Sequence, residues 1–252
     1  MNLQLDQRHL RLTGAYNVRD LGGYRIPGGG LTQWGRVLRA DGLQRLDATD
    51  MDLLVARGLS TVIDLRRAGE LHEAPNPFAR HDRVAYHHVS LFDRLAPLEM
   101  IGADNLLLDL YKTALRERGA EFAGVMRIIA EAPEGAVLFH CAAGKDRTGL
   151  IAALLLLVAG VDQEDIVADY ALTGSLIEPL VAGFIETARL RGLDVAGYRR
   201  LLTCEPQTMV ATLVELETAH GGVEAYLGSV GIDRATVDRL RRRLIAANVS
   251  AE

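Results

Sequence analysis

AVLFHCAAGKDRTGLIAALLLLVAGV, residues 136–161, decides the fold. It runs from an apolar strand, Ala136–His140, into a short charged stretch and out again into a long apolar helix beginning near Thr148. A strand that passes through a tight loop into a helix is the unit of an α/β sheet, and its carboxyl end is where such sheets bind ligands. Working outward, "RVLRA" (36–40), "STVIDL" (60–65) and "VAYHHV" (84–89) read as further strands. "DATDMDLLVARG" (47–58), 105–116 and 121–131 read as helices between them. The chain downstream of the loop is almost wholly helical, with candidates at 163–170, 176–191, 206–220, 223–227 and 234–247. The expectation is a central, mostly parallel sheet flanked by helices, in a single domain spanning 1–252 with a helical C-terminal portion.

The composition supports this reading. Of 252 residues, 49% are hydrophobic and 24% charged, as in ordinary globular proteins. A net charge of −5 argues against general nucleic-acid binding. Two cysteines make no disulfide framework and point to a reducing compartment. The N-terminus has no signal-peptide pattern, and the run 149–161 is too short to span a bilayer. A cytoplasmic protein without membrane insertion is expected, with export by another route left open.

The chemistry lies in Cys141–Arg147. Small Ala142, Ala143 and Gly144 allow successive N–H groups to curl into an anion nest at a helix N-terminus. Such surroundings lower a cysteine pKa to roughly 3.5–7.5. Arg147 can fold back across the loop and hold two phosphate oxygens in its planar fork. Lys145 adds a charge at the rim, and Thr148 has a hydroxyl for the sulfur. His140 shapes the loop. No metal-ligand spacing is present: His87 and His88 face opposite ways on a strand. A buried strand-end cysteine with a surface arginine is the bland alternative, and the agreement of strand, loop and helix argues against it.

The loop "HCAAGKDRTG" resembles that of the cysteine-dependent tyrosine phosphatases. "NVRDLGGY" (17–24), "GRVLRADGL" (35–43), "VIDLRRAGE" (62–70), "VADYALT" and the stretch 221–244 resemble the bacterial atypical branch of the PtpB type. The resemblance implies hydrolysis of phosphotyrosine through a phosphocysteine, with phosphoserine, phosphothreonine and phosphoinositides as further substrates, and no cofactor. Phosphorylated protein or phosphoinositide is then the partner. It makes Asp146 the general acid, although Lys145 and Arg147 beside it favour its ionised form. Asp64 is the rival, or else a substrate-site or loop-ordering carboxylate, and Asp93 a weaker third. Arg19 and Asp20 are given no catalytic role, Arg66 and Arg67 stand at the pocket edge or in solvent, and Cys204 is a bystander. The segment 176–200, with its stripe Leu176, Leu180, Phe184 and Ala188, corresponds to a lid. A rhodanese-like sulfurtransferase and a non-catalytic phosphate-binding module are the competing readings.

Overall fold

The computed structural model describes residues 7–91 and 106–246. Five strands form one sheet: β1 (Arg19–Asp20), β2 (Val37–Ala40), β3 (Leu59–Asp64), β4 (Ala85–His88) and β5 (Ala136–His140). Their order is β1-β2-β5-β3-β4, with β1 antiparallel to β2 and every other pair parallel. The helices before the central strand are α1 (Ala48–Ala56), α2 (Ala68–Glu73), α3 (Leu106–Glu117) and α4 (Gly119–Glu131). After it come α5 (Asp146–Ala159), α6 (Gln163–Leu176), α7 (Glu178–Leu190), α8 (Val195–Leu201), α9 (Pro206–His220), α10 (Val223–Ser229) and α11 (Arg234–Leu244).

β5 is apolar throughout because both its faces are covered. Val137 and Phe139 enter the larger core, with α3, α4, α5 and α9–α11; Ala136 and Leu138 enter the smaller one, with Leu54 of α1 and Phe78. Alternation along the strand accounts for this split. α5 is buried on nearly every side, so its sequence lacks a polar face. Gly160 ends it at φ +80°, donating to the Leu156 and Leu157 carbonyls.

The expected sheet is present, and the four strands read from the sequence all belong to it. Four features differ from expectation. The two-residue β1 lies in "NVRDLGGY", whose Gly22–Gly23 pair reads locally as a turn. α2 and α8, of six and seven residues, are too short to carry a period. α5 begins two residues early, at Asp146. The helix read as 163–170 continues to Leu176 before a 68° bend into α7. Among the described residues no single helix is long and apolar enough to cross a membrane.

Leu155 has no exposed surface, whereas Val214 is 52% exposed. Leu155→Ala is expected to lower unfolding stability by about 2–5 kcal/mol. Val214→Ala should stay within about 0.5 kcal/mol. Denaturant midpoints of the two variants check this contrast.

Candidate active site

The loop between β5 and α5 is fixed by its carbonyl groups. Cys141 O lies 3.1 Å from His140 Nδ1, Ala142 O accepts from Gly42 N at 2.9 Å, and Ala143 O accepts from Asn17 Nδ2 at 3.0 Å. Gly144 O accepts from Arg39 Nη2 at 2.7 Å and from Asn17 Nδ2 at 3.3 Å. A trans peptide sends its N–H opposite to its C=O. The N–H groups of Ala142, Ala143, Gly144 and Lys145 therefore face away from the scaffold. Gly144 is at φ +68°, and a Cβ there would sit 2.5 Å from Ala40 O and 2.7 Å from Asn17 Nδ2. Only glycine fits.

Behind the loop lies a buried ionic cluster. Arg19 and Arg39 both pair with Asp169 of α6, Tyr24 donates to the same carboxylate at 2.9 Å, and Arg19 donates to Asn17 Oδ1. Asp41 places Asn17, accepting its backbone N–H at 2.9 Å. Burial would raise the Asp169 pKa, but the two arginines bring it down to about 2.

Cys141 is a free thiol, 2% exposed, lining a cavity of about 370 Å³. Arg147 lines that cavity and is held in a fork by Glu70, with Nη1 to Oε2 at 2.7 Å and Nη2 to Oε1 at 3.1 Å. Burial opposes the Arg147 charge, yet Cys141 and Glu70 outweigh it and raise its pKa. Burial likewise opposes the Glu70 carboxylate, and Arg147 followed by Arg67 lowers its pKa to about 2. Asp146 also lines the cavity. Its Oδ1 accepts from Tyr111 OH and from Lys145 Nζ, and Tyr111 OH in turn meets Tyr170 OH at 3.0 Å. Lys145 is 1% exposed; burial lowers its pKa, but Asp146 and Tyr170 outweigh this and raise it. Phe184, Ala188, Leu193, Tyr198 and Leu202 form an apolar wall, drawn mostly from the segment 176–200.

Several expected site residues lie elsewhere. Asp64 does not line the cavity: it is wholly buried, in a fork with Arg66 and near Asn76, Tyr86 and His140. Burial raises its pKa, but His140 and Arg66 outweigh this and hold it below the carboxylate range. Paired with His140 across β3 and β5, it lies on the same face of the sheet and supports the loop through that ring. Arg66 reaches the cavity edge with its donors committed to Asp64, Gln44 and Ala74 O. Gly144 does not line the cavity, being turned toward Arg39 and Asn17. The Thr148 hydroxyl is buried away from the cavity lining and, among the described residues, has no hydrogen-bond partner, the sulfur included. Asp93 lies outside the described residues. Among the described residues no cluster of three His, Cys, Asp or Glu could hold a metal.

Glu70, Asn17, Arg39, Asp169 and Tyr111 escaped the sequence reading as site residues. Glu70 falls within "VIDLRRAGE", where one turn of helix separates it from Arg67. Asn17, Arg39 and Tyr111 meet the loop across 35 to 127 positions, Asp169 reaches it only through Arg39, and no local pattern announces them.

A model of the tyrosine phosphatase family matches residues 10–246. A tyrosine-protein phosphatase of Nostoc commune is 35% identical over 219 residues, covering 82% of this chain and 73% of that protein. A putative tyrosine-protein phosphatase of Cupriavidus necator is 34% identical over 228 residues, covering 84% and 80%. The triple specificity protein phosphatase PtpB of Mycobacterium tuberculosis is 27% identical over 275 residues, covering 93% and 98%.

Two variants test the geometry without substrate. Gly144→Ala meets both a left-handed backbone, costing roughly 1–2 kcal/mol, and a steric clash, so a loss above about 1 kcal/mol is expected in chemical unfolding. Glu70 has its pKa depressed from 4.5 to about 2. Its contribution to stability is therefore present above pH 4.5 and is lost as pH falls toward 2. Glu70→Gln should lack that acid-side loss, seen as a shallower decline in melting temperature across the same window.

Proposed function

Because this chain belongs to the tyrosine phosphatase family, we propose that it hydrolyses phosphotyrosine in proteins through a phosphocysteine intermediate. The observation that carries this is the set of four loop N–H groups turned away from the scaffold beside Cys141, with Arg147 and Asp146 lining the same cavity. The Cys141 thiolate attacks phosphorus; the S–P bond forms as the bond to the tyrosine oxygen breaks. Arg147 exchanges its fork on Glu70 for two phosphate oxygens, and the loop N–H groups take the developing charge. Asp146, as the acid, gives its proton to the departing phenolate. Its carboxylate then takes a proton from water, which attacks phosphorus, breaks the S–P bond and releases inorganic phosphate.

Asp146 is assigned the acid over Asp64 because it lines the cavity, while Asp64 is walled off by Arg66. Tyr111 and Lys145 hold the Asp146 carboxyl in place. The apolar wall of Phe184, Leu193, Tyr198 and Leu202 suits an aromatic ring above the thiol. Charge balance points the same way. Arg66, Arg67, Lys145 and Arg191 on the cavity edge are each already paired with a carboxylate, leaving little attraction for a multiply phosphorylated headgroup. Phosphoserine, phosphothreonine and phosphoinositides are accordingly placed second. The retained thiol, arginine and carboxyl favour turnover over a binding module, and the family favours phosphoryl over sulfur transfer.

Phosphate release from a phosphotyrosine peptide should exceed that from a phosphothreonine peptide and from soluble phosphoinositides, and Cys141→Ser should reduce all three to background. Asp146→Asn should slow phosphotyrosine hydrolysis about 10²- to 10⁴-fold. It should slow 4-nitrophenyl phosphate much less, since that leaving group needs little protonation. Faster release from phosphoinositide would overturn the substrate assignment, and equal slowing on both aryl esters the role of Asp146.

A further inference from the structure

We infer that Arg39 is a positioning residue for phosphate binding, acting through the Gly144 carbonyl. The inference rests on the phosphatase reading of the loop and adds a residue outside the cavity to it.

Arg39 sits on β2 opposite Arg19 of β1, and both side chains run beneath the loop to Asp169 of α6. Its guanidinium is 1% exposed and does two things at once. One nitrogen pairs with Asp169, and the other donates to Gly144 O at 2.7 Å. The Gly144 carbonyl shares a peptide plane with the Lys145 N–H, so drawing the oxygen back aims that N–H away from the scaffold. A charged donor on the oxygen also polarises the peptide and strengthens its N–H as a donor. Among the described residues no other side chain hydrogen-bonds both the loop backbone and α6.

The charge count gives an independent reason. Two guanidinium groups share one carboxylate in a fully buried cluster, and among the described residues Arg39 Nε has no hydrogen-bond partner. A surplus buried cation is costly unless something compensates it. A phosphate dianion on the far side of the loop would do so, through one layer of peptide. A staple between sheet and helix would be as well served by a neutral pair.

The test compares wild type with Arg39→Lys and Arg39→Met. Tungstate, a phosphate-shaped oxyanion, is titrated calorimetrically, kcat and KM are measured on 4-nitrophenyl phosphate, and melting temperature is recorded separately. Lysine keeps the charge beside Asp169 but cannot fork between two acceptors. Arg39→Met should weaken tungstate binding about ten- to one-hundred-fold and lower kcat/KM in parallel. Arg39→Lys should fold and fall between Met and wild type, at least about fivefold below the latter; if the methionine variant does not fold, the lysine variant decides. A folded variant with wild-type tungstate affinity and kcat/KM, and only a lower melting temperature, would show a mere staple and overturn the inference. Arg39-dependent tungstate binding by a wild-type protein that releases no phosphate would instead sink the phosphatase reading and leave the positioning role standing.

Discussion

The arrangement of this site depends on where four carbonyl groups go. A loop of Cys, Ala, Ala, Gly and Lys has no side chain that could bind an oxyanion from its middle, so binding falls to the backbone. Backbone N–H groups can converge only if the carbonyls on the same peptides are satisfied elsewhere. Here His140, Gly42, Asn17 and Arg39 take them in turn. That demand explains two features remote from the loop, the Asp41 carboxylate that places Asn17 and the two-residue β1 that delivers Arg19, and one within it, the glycine at position 144.

Two buried carboxylates support the loop from opposite faces of the sheet. Asp64 shares a face with His140 and the smaller core, and its ring neighbour serves Cys141 O. Asp169 lies on the helical face, and its arginine partner serves Gly144 O. Neither carboxylate touches the cavity. Each fixes a donor that fixes a carbonyl, so their worth lies in orientation, whatever a buried ion pair contributes to stability.

Much of the fold was legible because its signals are local. Both faces of the sheet are covered, so strands such as Ala136–His140 are continuous apolar runs, and α5 is apolar all round. What was illegible was short or dependent on distant partners. β1 has two residues and owes its strand geometry to β2; α2 and α8 are too brief for periodicity; α5 starts at Asp146 because Lys145 O accepts from Gly149 N at 2.7 Å, which no pattern in "GKDRTG" shows. The same division holds in the site. Cys141, Asp146 and Arg147 were legible because seven consecutive residues hold all three. The sequence left Asp64 open between a site carboxylate and an ion pair with Arg66, because the end of a strand looks the same in both cases; in the structure it forms the pair. Arg39 and Asp169, 130 positions apart, became partners only through folding.

Arg147 shows why the supporting charges must be balanced with care. Its fork is filled by Glu70, so the buried cation is paired and the guanidinium plane is already set for two oxygens. The same pairing limits affinity, because an incoming phosphate must compete with a carboxylate whose pKa lies near 2. The cations at the cavity edge are paired with carboxylates in this way, Arg67 and Arg147 sharing Glu70, and a further excess of positive charge lies beneath the loop in the Arg19–Arg39–Asp169 cluster. A surface rich in free cations would attract any polyanion. Attraction confined to the four N–H groups and the Arg147 fork favours a ligand that can bring a small phosphate down to the level of the thiol, and the apolar wall favours one that does so on a flat ring.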